Sequence, residues 1–568
     1  MLLAGILALC AVGFYLPALR GALVWDDHMI VSGEAIGGGR SAAACFTQPF
    51  LFFYYRPLVS LSFWLDLRLW GASPVHMHMV NLLLHAGSVV GVVALGRHIL
   101  CDRWAALLAG ALFAVHPVMG GSVAWIGGRT DTLSIFFVVW CLVGLVAAAR
   151  SVGDSRSLWL ALSVASFTLA VFTKEQTAAI LLLVPLAFLC FRPTRGVSLP
   201  GGHWFAMLPY GVAVVFFVAM GVFVSLPRPA LLPAPPIEQA MRAGQSILAY
   251  ALMLVAPWPR LMSAVTLAPF EHLGAWPALV GFGLAVAWVA GVAVAWRRRR
   301  EVAWLLLLCG LALGPVVNLV PLPFLLLAPY RASLACVAVA LMAAGLVTGA
   351  SRRWGGAPAA ALAACALLGW GGVAVAGMGV WASEPQLYRS MLRWDPACGV
   401  ARYNLARNAM LQQRWSEALP HLGVLLDSLV GAGQWEPDRI AAVAGRPEVR
   451  RRLQQGQGSA GRPEEYLALL LGQVGAARSG LSDIAGAERA FLAADAVKPR
   501  SAETLGWLGY CAAQRGDTAE AERRYLRAIQ ADTGSAGPRR GLSVIYFGQG
   551  RYTEARRLTQ EAEACPRP

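Results

Sequence analysis

Two neighbouring carboxylates, Asp26 and Asp27, stand in the stretch "ALVWDDHMIV" with no basic residue beside them. Like charges this close repel, and at the edge of an apolar run both are costly to strip of water. One reading is structural: an Asp here caps the helical segment that follows. The other is chemical. A carboxylate beside an acceptor hydroxyl takes its proton as a new bond forms, while its neighbour orients the acceptor or a divalent cation. Inverting sugar transfer needs one such base, so Asp26 and Asp27 are the candidate catalytic pair and, if a cation is used, its candidate ligands.

Four cations are placed to meet an anionic leaving group. Arg56 follows two tyrosines and precedes Pro57 in "FFYYRPLVSL". It either anchors at the lipid head-group level or grips a phosphate bidentately. "FAVHPVMGGSVAWIGGRTDTLS" holds His116 before a proline, then a Gly-Gly turn, Arg129 and Asp131. Asp131 favours a helix N-terminus, and Arg129 with Asp131 also reads as an ion pair fixing the loop. In "FTKEQTAAI", Lys174 and Glu175 either neutralise each other or leave Lys174 for a phosphate. "APYRASL" adds Tyr330 and Arg331. "HMHMVNLLLHAG" sets His78, Asn81 and His85 on one helix face. That spacing is not the metalloprotease pair, so these residues bond between helices or support the chemistry.

The elements that must position these groups are membrane helices. Of 568 residues, 57% are hydrophobic and 14% charged, far from the balance of a soluble chain. The net charge of +16 gathers in short loops such as "WRRRRE" and "SRRW". Topology and anionic lipid explain it, without nucleic acid. The eleven cysteines form no paired pattern and no zinc site. The start lacks a basic n-region and a good cleavage site, so it reads as an uncleaved first crossing.

Apolar runs predict about eleven crossings, near 2–19, 77–98, 104–120, 131–149, 158–173, 176–191, 205–226, 277–296, 302–320, 331–349 and 358–381. With the N-terminus inside, five Arg-bearing loops fall on the cytoplasmic side. The segment 246–261 is short and ends in "PWP", so it is laid at the outer interface or made re-entrant. All the candidate loops then face outward.

From residue 383 the sequence turns amphipathic, giving a membrane domain at 1–382 and an outer domain at 383–568. Gly516 and Gly550, Ala521 and Ala555, Ala528 and Ala562, and Leu508 and Leu542 each lie 34 residues apart. This is tetratricopeptide spacing, clearest over 468–568 with another unit near 388–427, while 428–462 fits poorly. Such units stack into an α-solenoid with a groove for an extended peptide or protein. The fold class is therefore all-α, a polytopic helical membrane domain followed by a solenoid.

"WDD", "YRPL", "HMHMVNLLLH", "FAVHP", "AWIGGRTD" and "KEQ", in that order and ahead of the repeats, resemble the transmembrane and TPR-containing O-mannosyltransferases and their bacterial relatives, of the GT-C glycosyltransferase superfamily. The resemblance implies a polyprenyl-phosphate sugar donor, a paired acidic motif at Asp26 and Asp27, and a protein hydroxyl as acceptor. Mannose is implied by the eukaryotic members. A bacterial inner membrane with the repeats in the periplasm is the implied location. The family's late outer loop carries an acidic residue where this chain reads "APYRASLAC". Two other readings stay open: a related enzyme glycosylating a lipid or glycan, and a non-enzymatic repeat scaffold.

Overall fold

The computed structural model describes residues 2–32, 41–51, 54–191, 205–224, 235–262, 274–319, 327–396, 398–431, 439–440, 446, 449 and 463–565. Two compact units form, one running to Trp394 and one from Asp395 onward. Among the described residues both are helical, and an isolated bridge of strand type joins Phe50 to Tyr54.

The first unit comprises α1 (Leu2–Tyr15), α2 (Asp27–Val31), α3 (Ala44–Thr47), α4 (Pro57–Trp70), α5 (Pro74–Leu100), α6 (Arg103–Ala114), α7 (Met119–Ala124), α8 (Arg129–Arg150) and α9 (Asp154–Val171). It continues through α10 (Leu183–Cys190), α11 (Leu208–Phe223), α12 (Pro236–Val255), α13 (Pro259–Met262), α14 (Trp276–Arg298), α15 (Arg300–Leu313), α16 (Ser333–Trp354), α17 (Gly356–Val380) and α18 (Glu384–Trp394). Seven helical stretches are long and apolar enough to cross a membrane, beginning at Leu2, Pro74, Arg129, Phe205, Trp276, Pro329 and Gly356. The other four expected crossings are shorter or less apolar helices: α6, α9, the Glu175–Cys190 stretch and α15. Their lengths have local causes. Pro117 cannot continue α6, Gly314 and Pro315 close α15, and Glu175–Leu182 winds as a tighter 3-10 helix before α10.

Helix α8 is the axis of the unit, buried over nearly its whole length, with α5 and α16 packed on it. Small residues let backbones approach. A Cβ on Gly91 would meet Val139 at 2.5 Å, and one on Gly144 would meet the Trp159 carbonyl at 2.7 Å. Helices α11, α14 and α17 instead turn Val215, Phe223, Val286 and Leu368 outward, as a lipid-facing surface does. The 246–261 segment is mostly the second half of α12, which ends where Pro257 follows Ala256. Helix α12 packs on α14 so closely that a Cβ on Gly281 would reach 1.9 Å from the Gly244 carbonyl oxygen.

In the second unit, helices Ile484–Val497, Thr518–Ala531 and Tyr552–Ala564 start at successive intervals of 34 residues. So do the turns before them, where Ser482, Gly516 and Gly550 take φ of 63°, 81° and 79°. Glycine adopts that conformation at no steric cost, which is why the period shows two of them. Asp483 and Asp517 then cap the amides of Gly486 and Glu520 at 2.9 Å. Within each pair a glycine accepts a ring from the other helix, Gly475 with Phe491 and Gly509 with Tyr525. The stretch 428–462, which fits the repeat poorly, lies largely outside the described residues, as do most of "FRPTRG" and "PLPFLLLAP".

Candidate active site

The chain leaves α1 through a short 3-10 turn and reaches Trp25, whose φ of 56° is left-handed and rare for a bulky residue. Two contacts hold it there. Its amide donates to Glu384 Oε1 at 3.3 Å, and its ring stacks on Trp125 at 5.8 Å. Glu384 Oε1 also lies 3.4 Å from His28 Nε2, and the Ala22 amide donates to the Ala382 carbonyl. Trp125 stacks in turn on Trp381, at 5.0 Å, and tilts against Tyr330. The loop carrying the two carboxylates is thus clamped from the end of α17 and the start of α18.

Asp26 and Asp27 have different surroundings. Asp27 is fully buried: Oδ2 accepts from the Val24 amide at 3.0 Å and Oδ1 from the Gly127 amide at 2.9 Å. Burial pushes its pKa up to about 8 against the pull of those amides, with Asp26 adding to the rise. Asp26 is half-buried, and among the described residues no donor or cation bonds its carboxylate. Burial pushes its pKa up to about 6.

Three further loops bring in the ions. Arg56 grips Glu175 bidentately, at 3.0 and 2.6 Å, and lies 3.8 Å over the Tyr54 ring. Lys174 Nζ donates to Asp131 Oδ1 at 2.6 Å, and both residues are buried. Each of these cations therefore already has a carboxylate. Arg331 has none among the described residues, and its buried Nη1 lacks any hydrogen-bond partner. Tyr54 feels the charges of Arg56, Glu175, Arg331 and Asp26, while Tyr330 feels Arg331, Asp131 and Asp26. Tyr250 of α12 stands beside Arg331. Asp26, Arg56, Asp131, Lys174, Glu175, Tyr330 and Arg331 therefore share one electrostatic neighbourhood.

The other candidates lie deeper. Arg129 is fully buried and its donors are used inside the helices: Nη2 on Asp66 Oδ2 at 2.9 Å and on the Met77 carbonyl at 2.7 Å, and Nε on Asn81. Asn81 also donates to the Trp125 carbonyl at 2.8 Å, so this network holds the turn that presents Gly127 to Asp27. His85 donates to the Ala114 carbonyl and His116 to that of Leu254. His78 is set against Gly21, where an added Cβ would sit 3.0 Å from its Nε2. These three histidines and Arg129 brace the helices under the loops.

Residues not singled out in the sequence complete the picture: Tyr54, Asp66, Trp125, Tyr250, Trp381 and Glu384. A carboxylate inside an apolar run, as in "FWLDLRLW", is the available signal for Asp66, because such a charge needs a partner. Among the described residues no group of three His, Cys, Asp or Glu is placed to hold a metal. Both oxygens of Asp27 are engaged by amides, so the pair does not offer two open carboxylates to a cation.

No protein-family model matches the chain. Among curated proteins it is similar to the protein O-mannosyl-transferase Tmtc2 of Drosophila melanogaster, 32% identical over 206 residues, 33% of this chain and 21% of that protein. It is also similar to the human protein O-mannosyl-transferases TMTC4, at 35% over 145 residues (22% of this chain, 20% of that protein), and TMTC3, at 35% over 126 residues (22% and 13%). The match spans about a fifth or less of these relatives' length. Among solved structures, MamA covers 34% of this chain and 91% of its own at 16% identity and TM-score 0.23. Yeast Tom70 covers 78% and 90% at 11% identity and TM-score 0.22. At these scores neither likeness adds to what the helices themselves say.

Proposed function

We propose that the chain is a membrane glycosyltransferase that moves a sugar, mannose by its relatives' names, from a polyprenyl-phosphate donor to a hydroxyl of a protein, with inversion. One observation carries the reading. Asp26 is a carboxylate and Arg331 a guanidinium, neither has an ionic partner among the described residues, and both act on Tyr54 and Tyr330.

Asp26 takes the acceptor hydroxyl's proton as that oxygen bonds the sugar's anomeric carbon from the face opposite the phosphate. The bond from that carbon to the phosphate oxygen breaks, and the electron pair leaves with the phosphate. Arg331 stabilises the growing charge, and Arg56 and Lys174, each fixed by its carboxylate, add positive field. Asp27 is the positioning residue that holds the loop through the Val24 and Gly127 amides.

In this reading the loops and the repeat unit face away from the cytoplasm, in a bacterial inner membrane toward the periplasm, and the repeat groove receives the acceptor protein. In the same reading the donor's lipid reaches the site from that side. The test is transfer from a synthetic polyprenyl-phosphate mannose to a Ser/Thr peptide library by the purified full chain. Product from wild type and none from Asp26→Asn supports the reading, whereas equal product from both sinks it.

A further inference from the structure

Three helices run from the candidate site to a second cluster. Helix α5 begins beside Gly21 and Arg129, α8 begins at Arg129 and Asp131, and α16 follows directly on Tyr330 and Arg331. They contain 27, 22 and 22 residues and rise roughly 40, 33 and 33 Å, enough to span a bilayer's apolar core. At their far ends they carry Arg97, Arg150 and Arg352, each in the last turn. Helix α6 starts at the same place with Arg103.

These four arginines surround one turn, Cys101-Asp102. The ends are held together by close packing: a Cβ on Gly96 would meet Ala106 of α6 at 3.1 Å and Leu341 of α16 at 3.2 Å. Arg150 Nη1 donates to Cys101 Sγ at 3.5 Å, Arg150 and Arg97 both act on His98, and Arg352 lies 4.0 Å from Asp102. Asp102 is already committed, its Oδ1 capping α6 through the Trp104 and Ala105 amides at 2.8 and 3.1 Å.

Charge balance decides whether the cluster is merely neutralised. Three helix C-termini contribute roughly half a negative charge each. With Asp102 the negative charge comes to roughly two and a half, against four guanidinium groups. With roughly half a positive charge from the α6 N-terminus, an excess of roughly two positive charges remains at this turn. Beside it Trp104 and Trp354 are 61% and 65% exposed, and Leu346, two turns back along α16, is 74% exposed. Exposed tryptophans below a cationic cap and above an apolar flank are what a phospholipid meets.

We propose that the turn at Cys101-Asp102, with Arg97, Arg103, Arg150 and Arg352, is a binding site for the head group of an anionic glycerophospholipid. Its acyl chains lie along the apolar flank of α16. The site faces the leaflet opposite the candidate active site and is independent of the transfer reaction.

The test is native mass spectrometry of the purified full chain, delipidated and titrated with short-chain phosphatidylglycerol or phosphatidylcholine. Wild type retains phosphatidylglycerol at least about tenfold better, and Arg150→Gln/Arg352→Gln reduces it to the phosphatidylcholine level. Arg103→Gln, an exposed change at a helix start, reports the same loss in part should the double variant fold poorly. Arg297→Gln/Arg298→Gln, in a separate basic run, leaves retention within about twofold. Equal retention of both lipids by wild type, equal loss in the Arg297/Arg298 variant, or displacement by excess inorganic phosphate overturns the proposal.

Discussion

The amide of Gly127 donates to Asp27 Oδ1 at 2.9 Å across 100 residues of chain. This bond latches the loop after α1 to the turn that opens α8. Asp27 thereby becomes part of the scaffold, and its neighbour Asp26 is left facing Tyr54 and Tyr330. Adjacent residues of one type thus divide into a holder and a free carboxylate.

Substitution separates the two. Asp26→Asn keeps the fold and lowers kcat/KM by about 10² to 10⁴-fold, the range of a lost general base. Asp27→Asn keeps only one acceptor for two amides and costs about 1–3 kcal/mol of stability along with activity. Thermal unfolding in detergent beside a transfer assay distinguishes them. A destabilised Asp26→Asn with a normal Asp27→Asn would reverse the assignment.

The pH dependence follows from Asp26, whose pKa burial raises to about 6. A base must be ionised, so kcat/KM rises with pH up to about 6 and then levels. Stability runs the other way. Between the ordinary carboxylate range and about 6 the folded protein binds the proton more tightly than the unfolded chain, so stability falls as pH rises through that window. A pH-rate profile that is flat from 5 to 7 contradicts this role.

Arg331 and Arg56 are expected to differ. Arg331→Ala removes a cation with no carboxylate partner among the described residues, leaving the fold intact and reducing kcat/KM by about 10² to 10³-fold. Arg56→Ala strands Glu175, and adding Glu175→Gln recovers part of the loss. A double-mutant cycle on Arg56 and Glu175 with no coupling would rule out that pairing as a support for activity.

Glu384→Ala frees the Trp25 amide and His28 together. Trp25 then relaxes from its left-handed conformation, kcat falls, and the donor KM stays near its wild-type value. Glu384→Gln, which still accepts from the amide, retains most of the rate. A KM effect without a kcat effect would point to donor contact instead.

In the repeat unit, Gly509→Ala puts a Cβ 2.9 Å from the Tyr525 ring. The expected cost is about 1–3 kcal/mol, read as a loss of helicity at lower temperature. An unchanged melting curve would mean the ring yields freely.

Much of this was legible because its signals are local. The 34-residue period stands in plain sequence, and its glycines mark turns of positive φ. Asp26, Asp27, Arg56, Lys174 and Arg331 stand out as ions in an apolar chain. What sequence does not disclose is which ions neutralise which. Arg56 meets Glu175 at a distance of 119 residues, and Trp25 meets Glu384 at 359. Nor does it show Arg129, so conspicuous after two glycines, turned inward onto Asp66 and Asn81. Crossing number suffers from a related limit, since apolarity alone does not say where Pro117 or Pro315 will end a helix.

The stack of Trp25, Trp125 and Trp381 draws on the beginning, the middle and the end of the membrane unit. During synthesis the first of these rings waits for the last through most of the unit's translation. A ribosome that has not passed Glu384 has made a chain whose Asp26 loop lacks its clamp. The clamp on the Asp26 loop is therefore completed late in biogenesis, after the helices between Trp25 and Trp381 have already been made.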